Sequence, residues 1–484
     1  MSNYESVIGL EVHVQLNTQT KIFCGCRNRF GDAPNANTCP VCLGLPGSLP
    51  VLNKKVLENA IKVGLGLNCT IAERMKFDRK NYFYPDLPKA YQISQYDMPL
   101  SYGGFLDIML KDGTHKRIGI TRAHVEEDAG KLLHEGIKDG SNVDYNRTGT
   151  PLVEIVSEPD IRTPEEAYAY LTTLKAILRY LEVSDCNMEE GSLRCDANVS
   201  IRPAGEMKLG TKAEIKNLNS FKAVQRALQY EIERQIDCAE HGEKIVQETR
   251  LWDEAKGMTV SMRSKEEAHD YRYFPDPDLV PFVVSREQVG MLRAAMPELP
   301  QARAARLVNE YGNEGLTEYD ADVIVQEKQL ADFFEIIVKK GFVSPKLVVN
   351  WVTNELLAQM KSRKISIEKL TITITPEQMV SLLKLLENNT ISGVTAKEVL
   401  SDLFDSDLLA DRIVENKGLL QINDLSKIEA LADEVLAANE KSVADYKSGK
   451  KNALGFFVGQ VMKKTQGKAN PQMVNSILTK KLGS

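Results

Sequence analysis

The chain has 484 residues, 43% of them hydrophobic and 26% charged, with a net charge of −6. That balance suits a globular protein of about three domains at roughly 150 residues each, and no apolar run reaches the roughly 20 residues of a membrane-spanning helix. The opening stretch MSNYESVIGLEVHVQL has neither a basic, apolar leader nor the arginines of a transit peptide, so a cytoplasmic protein with reduced thiols is expected.

The first predicted element is a strand. In VIGLEVHVQL, Ile8, Leu10, Val12, Val14 and Leu16 alternate with Glu11, His13 and Gln15. Side chains two apart on a strand leave the same face about 7 Å from each other, so Glu11 and His13 are neighbours there. Half of the eight cysteines follow at once, as a CxC pair (Cys24, Cys26) and a CxxC pair (Cys39, Cys42) bracketing a loop with Gly31 and Pro34. Where thiols stay reduced, such pairs suit tetrahedral zinc; four incidental thiols are the alternative. A closed four-sulfur site has no open position for substrate, so the zinc is expected to be structural. Cys69, Cys186, Cys195 and Cys238 are scattered and read as small core residues.

In KFDRKNYFYPDLPKAYQISQYDMP, Arg79 and Lys80 adjoin Tyr82, Phe83 and Tyr84, with Lys89 and Tyr91 shortly after. Basic and aromatic interleaving suits phosphates and stacked bases, while a loop packed on its own aromatics has the same composition. IGITRAHVEEDAG then sets Arg122, His124 and Glu126 on one strand face, with Glu127 and Asp128 at the strand end. TPLVEIVSEPD adds Glu154. SLRCDANVSIRP alternates Leu193, Cys195, Ala197, Val199 and Ile201 with Arg194, Asp196, Asn198, Ser200 and Arg202. Antiparallel strands with one buried and one open face are expected. Carboxylates clustered with a histidine repel one another unless a cation neutralises them, and this donor set favours Mg²⁺ with Mn²⁺ as second choice. Solvated charges on an exposed face are the alternative. Between these strands, TPEEAYAYLTTLKAILRYLE predicts a helix capped by Thr163, with Pro164 in its first turn and Glu166 closing a capping box.

Beyond SREQVGMLRAAMPELP the texture turns helical. Ser285 with Gln288, Thr375 with Pro376 and Gln378, and Asn470 with Pro471 mark helix starts. Leu454, Phe457, Val458, Val461 and Met462 form one apolar stripe. Residues 441–484 hold nine lysines against one acidic residue, Asp445, which points to a polyanionic partner or to a solvated lysine face. GxxxxGK[ST], GxGxxG after a strand and GxSxG are all missing, so P-loop, dinucleotide and α/β-hydrolase chemistry have no support.

Four blocks carry a resemblance: KFDRKNYFYPDLPKAYQISQ (76–95), DYNRTGTPLVEIVSEPD (144–160), EEGSLRCDANVSIRP (189–203) and KAEIKNLNSF (212–221). With them the chain resembles, over nearly its whole length, the B-subunit family of bacterial aspartyl/glutamyl-tRNA amidotransferases. The resemblance implies an α+β fold: a cradle-like antiparallel-sheet domain akin to glutamine synthetase with a zinc knuckle (1–292), a helical domain (293–408) and a basic helical tail contacting tRNA (409–484). It implies a heterotrimer with an amidase, the A subunit, which releases ammonia from glutamine, and with a small C subunit. The substrate would be misacylated tRNA, Glu-tRNA(Gln) or Asp-tRNA(Asn). With ATP and Mg²⁺ its side-chain carboxylate is phosphorylated, then amidated by ammonia. On matching positions it implies magnesium ligation by Glu11, His13, Glu127 and Asp196, with Glu126 and Glu154 as alternatives. Arg194 and Lys216 would touch phosphate, and Lys80 with Asp78 would line the ammonia path. Some family members lack the cysteine quartet, so zinc is expected to clamp a loop and not to take part in the chemistry. Two rival readings stand beside this one, a non-catalytic RNA-binding scaffold and a free-standing ammonia ligase for a small acid.

Overall fold

The computed structural model describes residues 3–133, 140–264, 271–341, 343–420, 425–448, 452–465 and 469–483. It is mixed α+β and divides into two compact units, residues 1–302 and 303–484. Among the described residues no helix is long and apolar enough to cross a membrane.

The first unit is built on nine strands: β1 (Tyr4–Gln15), β2 (Thr70–Ile71), β3 (Ser101–Met109), β4 (His115–Glu127), β5 (Pro151–Ser157), β6 (Leu193–Pro203), β7 (Ala213–Lys216), β8 (Glu248–Asp253) and β9 (Met258–Ser264). Across the sheet they run β9-β8-β7-β6-β1-β5-β4-β3-β2. The expectation of a wholly antiparallel sheet needs correction, because β7 and β8 are parallel. The twenty-residue helix α3 (Phe221–Glu240) joins them. A long crossover of this kind returns the chain in the same direction, whereas a tight hairpin would reverse it.

The alternating positions sort as the period-two pattern predicts. Ile8, Leu10, Val12 and Val14 of β1 and Leu193, Cys195, Ala197 and Val199 of β6 are buried. They share one core with helices α1 (Lys54–Gly66), α2 (Pro164–Tyr180) and α3, through Val56, Ile61, Leu171, Leu174 and Val224 among others. Thr163 caps α2 by accepting the Glu166 N–H. Glu166 does not close the expected box: its carboxylate accepts from the Arg162 N–H at 2.6 Å and pairs with Lys116 at 2.7 Å. The carboxylate is thus taken by the main-chain donor one residue before the cap and by a lysine on β4.

Separately, the strand Asp78–Asn81 pairs with Tyr91–Ser94 and Phe274–Pro275 in a small three-stranded sheet. This layer meets the end of β4. The Ile93 N–H donates to the Glu127 carboxylate at 2.9 Å, Gln92 Nε2 to the Glu127 carbonyl at 2.7 Å, and Val125 N–H to Gln95 Oε1 at 2.9 Å. The polar face is therefore open over β6 and β1 but covered at β4.

The second unit is helical and holds two apolar clusters. The larger runs from Leu307 through Phe333, Phe334, Trp351 and Leu382 to Ala410, Ile413 and Val414. Thr375 and Gln378 form the expected capping box within it. The smaller cluster gathers Ile428, Phe457, Val461, Val474 and Leu478 from the tail helices, including Ala453–Lys464 and Pro471–Gly483. Of the nine tail lysines, Lys450, Lys451 and Lys468 lie outside the described residues.

Candidate active site

Strand register assembles the polar face. Reading across four strands, Arg194 of β6 lies opposite His13 of β1, His13 opposite Glu154 of β5, and Glu154 opposite His124 of β4. Two residues along β1, Glu11 lies opposite Asp196. Residues so paired project on the same face with Cβ atoms about 5 Å apart, so the long side chains converge.

The convergence is tightest around Glu126 and Glu154. His13 Nε2 is 3.4 Å from Glu154 and 3.7 Å from Glu126, and His124 Nε2 stands at the same two distances from the same carboxylates. Ser94 Oγ donates to Glu126 at 3.1 Å. One donor atom each from His13, Glu126 and Glu154 fall within 4.8 Å of one another, close enough to share an ion. An imidazole and two carboxylates form a donor set that fits Mg²⁺ or Mn²⁺. Nδ1 of the buried His124 has no hydrogen-bond partner among the described residues.

Burial opposes charging His13, but the hydrogen bond and charge of Glu154 and the charge of Glu126 outweigh it, and its pKa is pushed up to about 9. Burial also opposes ionisation of Glu154, yet His124, His13 and Lys80 hold its pKa well below the usual carboxylate range. Glu11 moves the other way, raised by burial and by the charges of Glu154, Glu214 and Asp196, although Asn198 Nδ2 donates to it at 2.9 Å. Protons and side-chain cations here stand where a metal cation would neutralise the same carboxylates.

Cations ring the cluster. Lys216 Nζ lies 2.6 Å from Asp196 and 2.9 Å from Glu214; burial disfavours its charge, but those two carboxylates raise its pKa. Arg194 Nη2 donates to Asp128 at 2.9 Å. Lys80 stands 4.8 Å from the Tyr271 ring centroid and 5.8 Å from that of Tyr82, cation–π distances. Burial works against its charge, while Glu126, Tyr273 and Glu154 hold its pKa above the ordinary lysine value. Asp78 lies on the same short strand, but its carboxylate is occupied by Lys76 at 3.0 Å and by the Tyr96 N–H at 3.0 Å.

Of the residues picked from sequence, the structure thus brings Glu11, His13, Glu126, Glu154, Arg194, Asp196, Lys80 and Lys216 to one face. Glu127 leaves the other side of β4, where it pairs with Lys89 and accepts the Ile93 N–H. Consecutive strand residues point to opposite faces, and the two glutamates separate for that reason. His124 and Asp128 belong to the arrangement without having been assigned a role. The period-two pattern put His124 on the correct face, but no sequence signal foretold that Asp128 would anchor Arg194. A cavity of about 280 Å³ continues the face past Glu11 and Asn198 toward Gly9, Ser157 and Lys212. A larger cavity of about 1110 Å³ lies at the β2 edge and contains none of the predicted residues.

The cysteine quartet forms a second centre. The sulfurs of Cys24, Cys26, Cys39 and Cys42 lie within 4.8 Å of one another, a donor set that fits a soft divalent ion such as zinc. Cys42 accepts from the Cys39 N–H at 3.1 Å. The hydrogen bond from Cys24, with Cys39 and the charge of Lys21, draws the Cys42 thiol well below its ordinary pKa against the effect of burial. Gly149, at φ +78°, passes close to both Cys42 and Lys21 in a conformation that glycine adopts without strain.

Residues 6–290 match the family model described as the GatB/GatE catalytic domain, and residues 332–482 match that of the GatB domain. The B subunit of the aspartyl/glutamyl-tRNA(Asn/Gln) amidotransferase of Carboxydothermus hydrogenoformans is 60% identical over 485 residues, covering 100% of this chain and 99% of that protein. The proteins of the same name from Caldanaerobacter subterraneus subsp. tengcongensis and Brevibacillus brevis are 59% and 56% identical, covering 99% or more of each partner.

Proposed function

Since the chain belongs to the family of aspartyl/glutamyl-tRNA(Asn/Gln) amidotransferase B subunits, ligases of tRNA-dependent amidation, we propose that its polar sheet face is the site where the tRNA-borne carboxylate is activated and amidated. The observation that carries this reading is the convergence of His13, Glu126 and Glu154 beside Glu11 and Asp196, ringed by Lys80, Arg194 and Lys216. A carboxylate is a poor acyl donor, because ammonia attacking it would have to expel oxide. Transfer of the ATP γ-phosphoryl group to one carboxylate oxygen gives an acyl phosphate and ADP. Ammonia then attacks the carbonyl carbon, phosphate leaves with the C–O bonding pair, and loss of a proton gives the amide.

Phosphoryl transfer asks the protein chiefly for position and charge neutralisation. Bound at the His13–Glu126–Glu154 cluster, Mg²⁺ would neutralise and align phosphate oxygens. Glu11 and Asp196 extend the anionic surface toward the cavity beside Asn198. Arg194, held by Asp128, and Lys216, held by Asp196 and Glu214, offer positive charge to phosphate. Lys80 stands between the tyrosines and the carboxylates, placed to guide an incoming polar nucleophile. His124 fixes the two carboxylates from the side opposite His13.

The wider setting is part of the same proposal: a cradle related to glutamine synthetase, a heterotrimer completed by an amidase and a small third protein, structural zinc at the cysteine quartet, and work in the cytoplasm. A scaffold that only bound RNA would gain nothing from carboxylates clustered beside an anionic partner, and a small acid would not call for a basic tail. Glu154→Gln is the test. In the reconstituted complex it is expected to abolish tRNA-dependent ATP hydrolysis and to weaken Mn²⁺ binding, while glutaminase activity persists. Parent-level phosphoryl transfer in Glu154→Gln would refute the assignment.

A further inference from the structure

Lys21 is completely buried, and its partners are unusual for a lysine. Nζ donates to the main-chain carbonyls of Asn37 at 2.7 Å and Tyr145 at 3.4 Å, and to Cys42 Sγ at 3.8 Å. Among the described residues no carboxylate lies within ion-pair distance of it. A buried ammonium is retained only where a counter-charge compensates the lost water, and two carbonyl dipoles carry no net charge. Of the atoms of described residues that Nζ bonds to, only Cys42 Sγ can hold a negative charge, and it belongs to the quartet. Four neutral thiols would leave Lys21 unbalanced, and so would two disulfides. Four thiolates around one divalent ion leave two surplus negative charges, and a neighbouring ammonium offsets one of them.

We propose that Lys21 is the charge-balancing residue of a tetrathiolate metal centre, its ammonium and the Cys39 N–H together donating to the Cys42 thiolate. The inference rests on reading the quartet as a metal site. Lys21 is not itself a ligand. It retains the metal by stabilising the thiolate that would otherwise leave or react, and its two carbonyl bonds hold residues 37 and 145 against the knuckle. Neutral donors in the same place would serve less well, because hydrogen bonds from charged groups are the stronger ones.

The full-chain holoprotein carries the test, with Lys21→Met removing charge and donor and Lys21→Gln removing charge alone. Metal per chain is measured after purification without chelator, transfer of zinc to a chromogenic chelator is timed, and alkylation of the four cysteines by iodoacetamide is followed by mass spectrometry. Both variants are expected to hold zinc roughly 10–100-fold more weakly, the usual range for losing a residue that orients a metal ligand. Cys42 should be alkylated sooner in both. Retention and alkylation in Lys21→Met equal to the parent overturn the inference, while a metal-free parent overturns the metal reading beneath it. Should Lys21→Met fail to fold, X-ray absorption on the parent decides. Four sulfur ligands support the charge argument, and fewer refute it.

Discussion

Asp128→Asn tests whether the Arg194 guanidinium is held in place from below. Asp128 is 3% exposed; its Oδ2 accepts from Gln15 Nε2 and Arg194 Nη2, both at 2.9 Å, and Arg147 Nε stands 3.6 Å away. The substitution keeps one oxygen but turns an amide donor toward two guanidinium groups. Removing one partner of a fully buried pair costs roughly 3–5 kcal/mol, whereas an exposed pair is worth under about 1 kcal/mol. The Arg194 side chain is 36% exposed, so a loss of about 2–3 kcal/mol is expected, between those limits. Trp252, buried in the first unit, reports the transition in urea once Trp351 of the helical unit is replaced by Phe. The pH dependence has a definite sign. Burial opposes ionisation of Asp128, but Arg194, Arg147 and Gln15 depress its folded pKa below the ordinary value. The carboxylate's contribution is therefore complete at neutral pH and is lost as pH falls through that depressed value, so variant and parent should converge in acid. With Arg194 released, KM for ATP should rise more than kcat falls. A loss under about 1 kcal/mol at pH 7, or a gap that does not shrink in acid, would refute the reasoning.

Lys80→Ala should separate the half-reactions: acyl phosphate still forms from ATP, amidation supported by glutamine fails, and high external ammonia partly restores product. Equal loss with both nitrogen donors would instead put Lys80 in phosphoryl transfer. Removing residues 425–484 leaves the larger helical cluster complete, because that cluster ends with Ala410, Ile413, Val414 and the adjoining Leu419. Four of the described tail lysines, Lys441, Lys447, Lys463 and Lys480, are exposed, while Lys464 and Lys481 pair with Glu434 and Asp433. At roughly 0.7–0.9 in log–log slope per phosphate contact, loss of those four alone should flatten the salt dependence of tRNA binding by about 3–4. An unchanged slope would make the tail a solvated surface.

Local pattern in the sequence determined which side chains share a face. Alternation alone put Glu11 with His13, Glu154 on its strand, and Arg194 with Asp196, because a strand's side chains repeat every second residue whatever it pairs with. The CxC and CxxC spacing likewise marked the quartet, since the backbone can fold close pairs of sulfurs onto one ion. The register was not legible. His13 and Glu154 are 141 positions apart, and only sheet pairing decides that they lie opposite each other. Nor could the pattern reveal what covers a polar face. Ser94 of the small sheet donates to buried Glu126, while Glu127 pairs with Lys89 and accepts from Ile93, although the two glutamates are adjacent in sequence. Lys21 draws no notice as a sequence position, and Asp128 reads only as one more carboxylate at a strand end. Their importance arises from burial beside a particular counter-charge, and burial is a property of long-range packing that no local window contains.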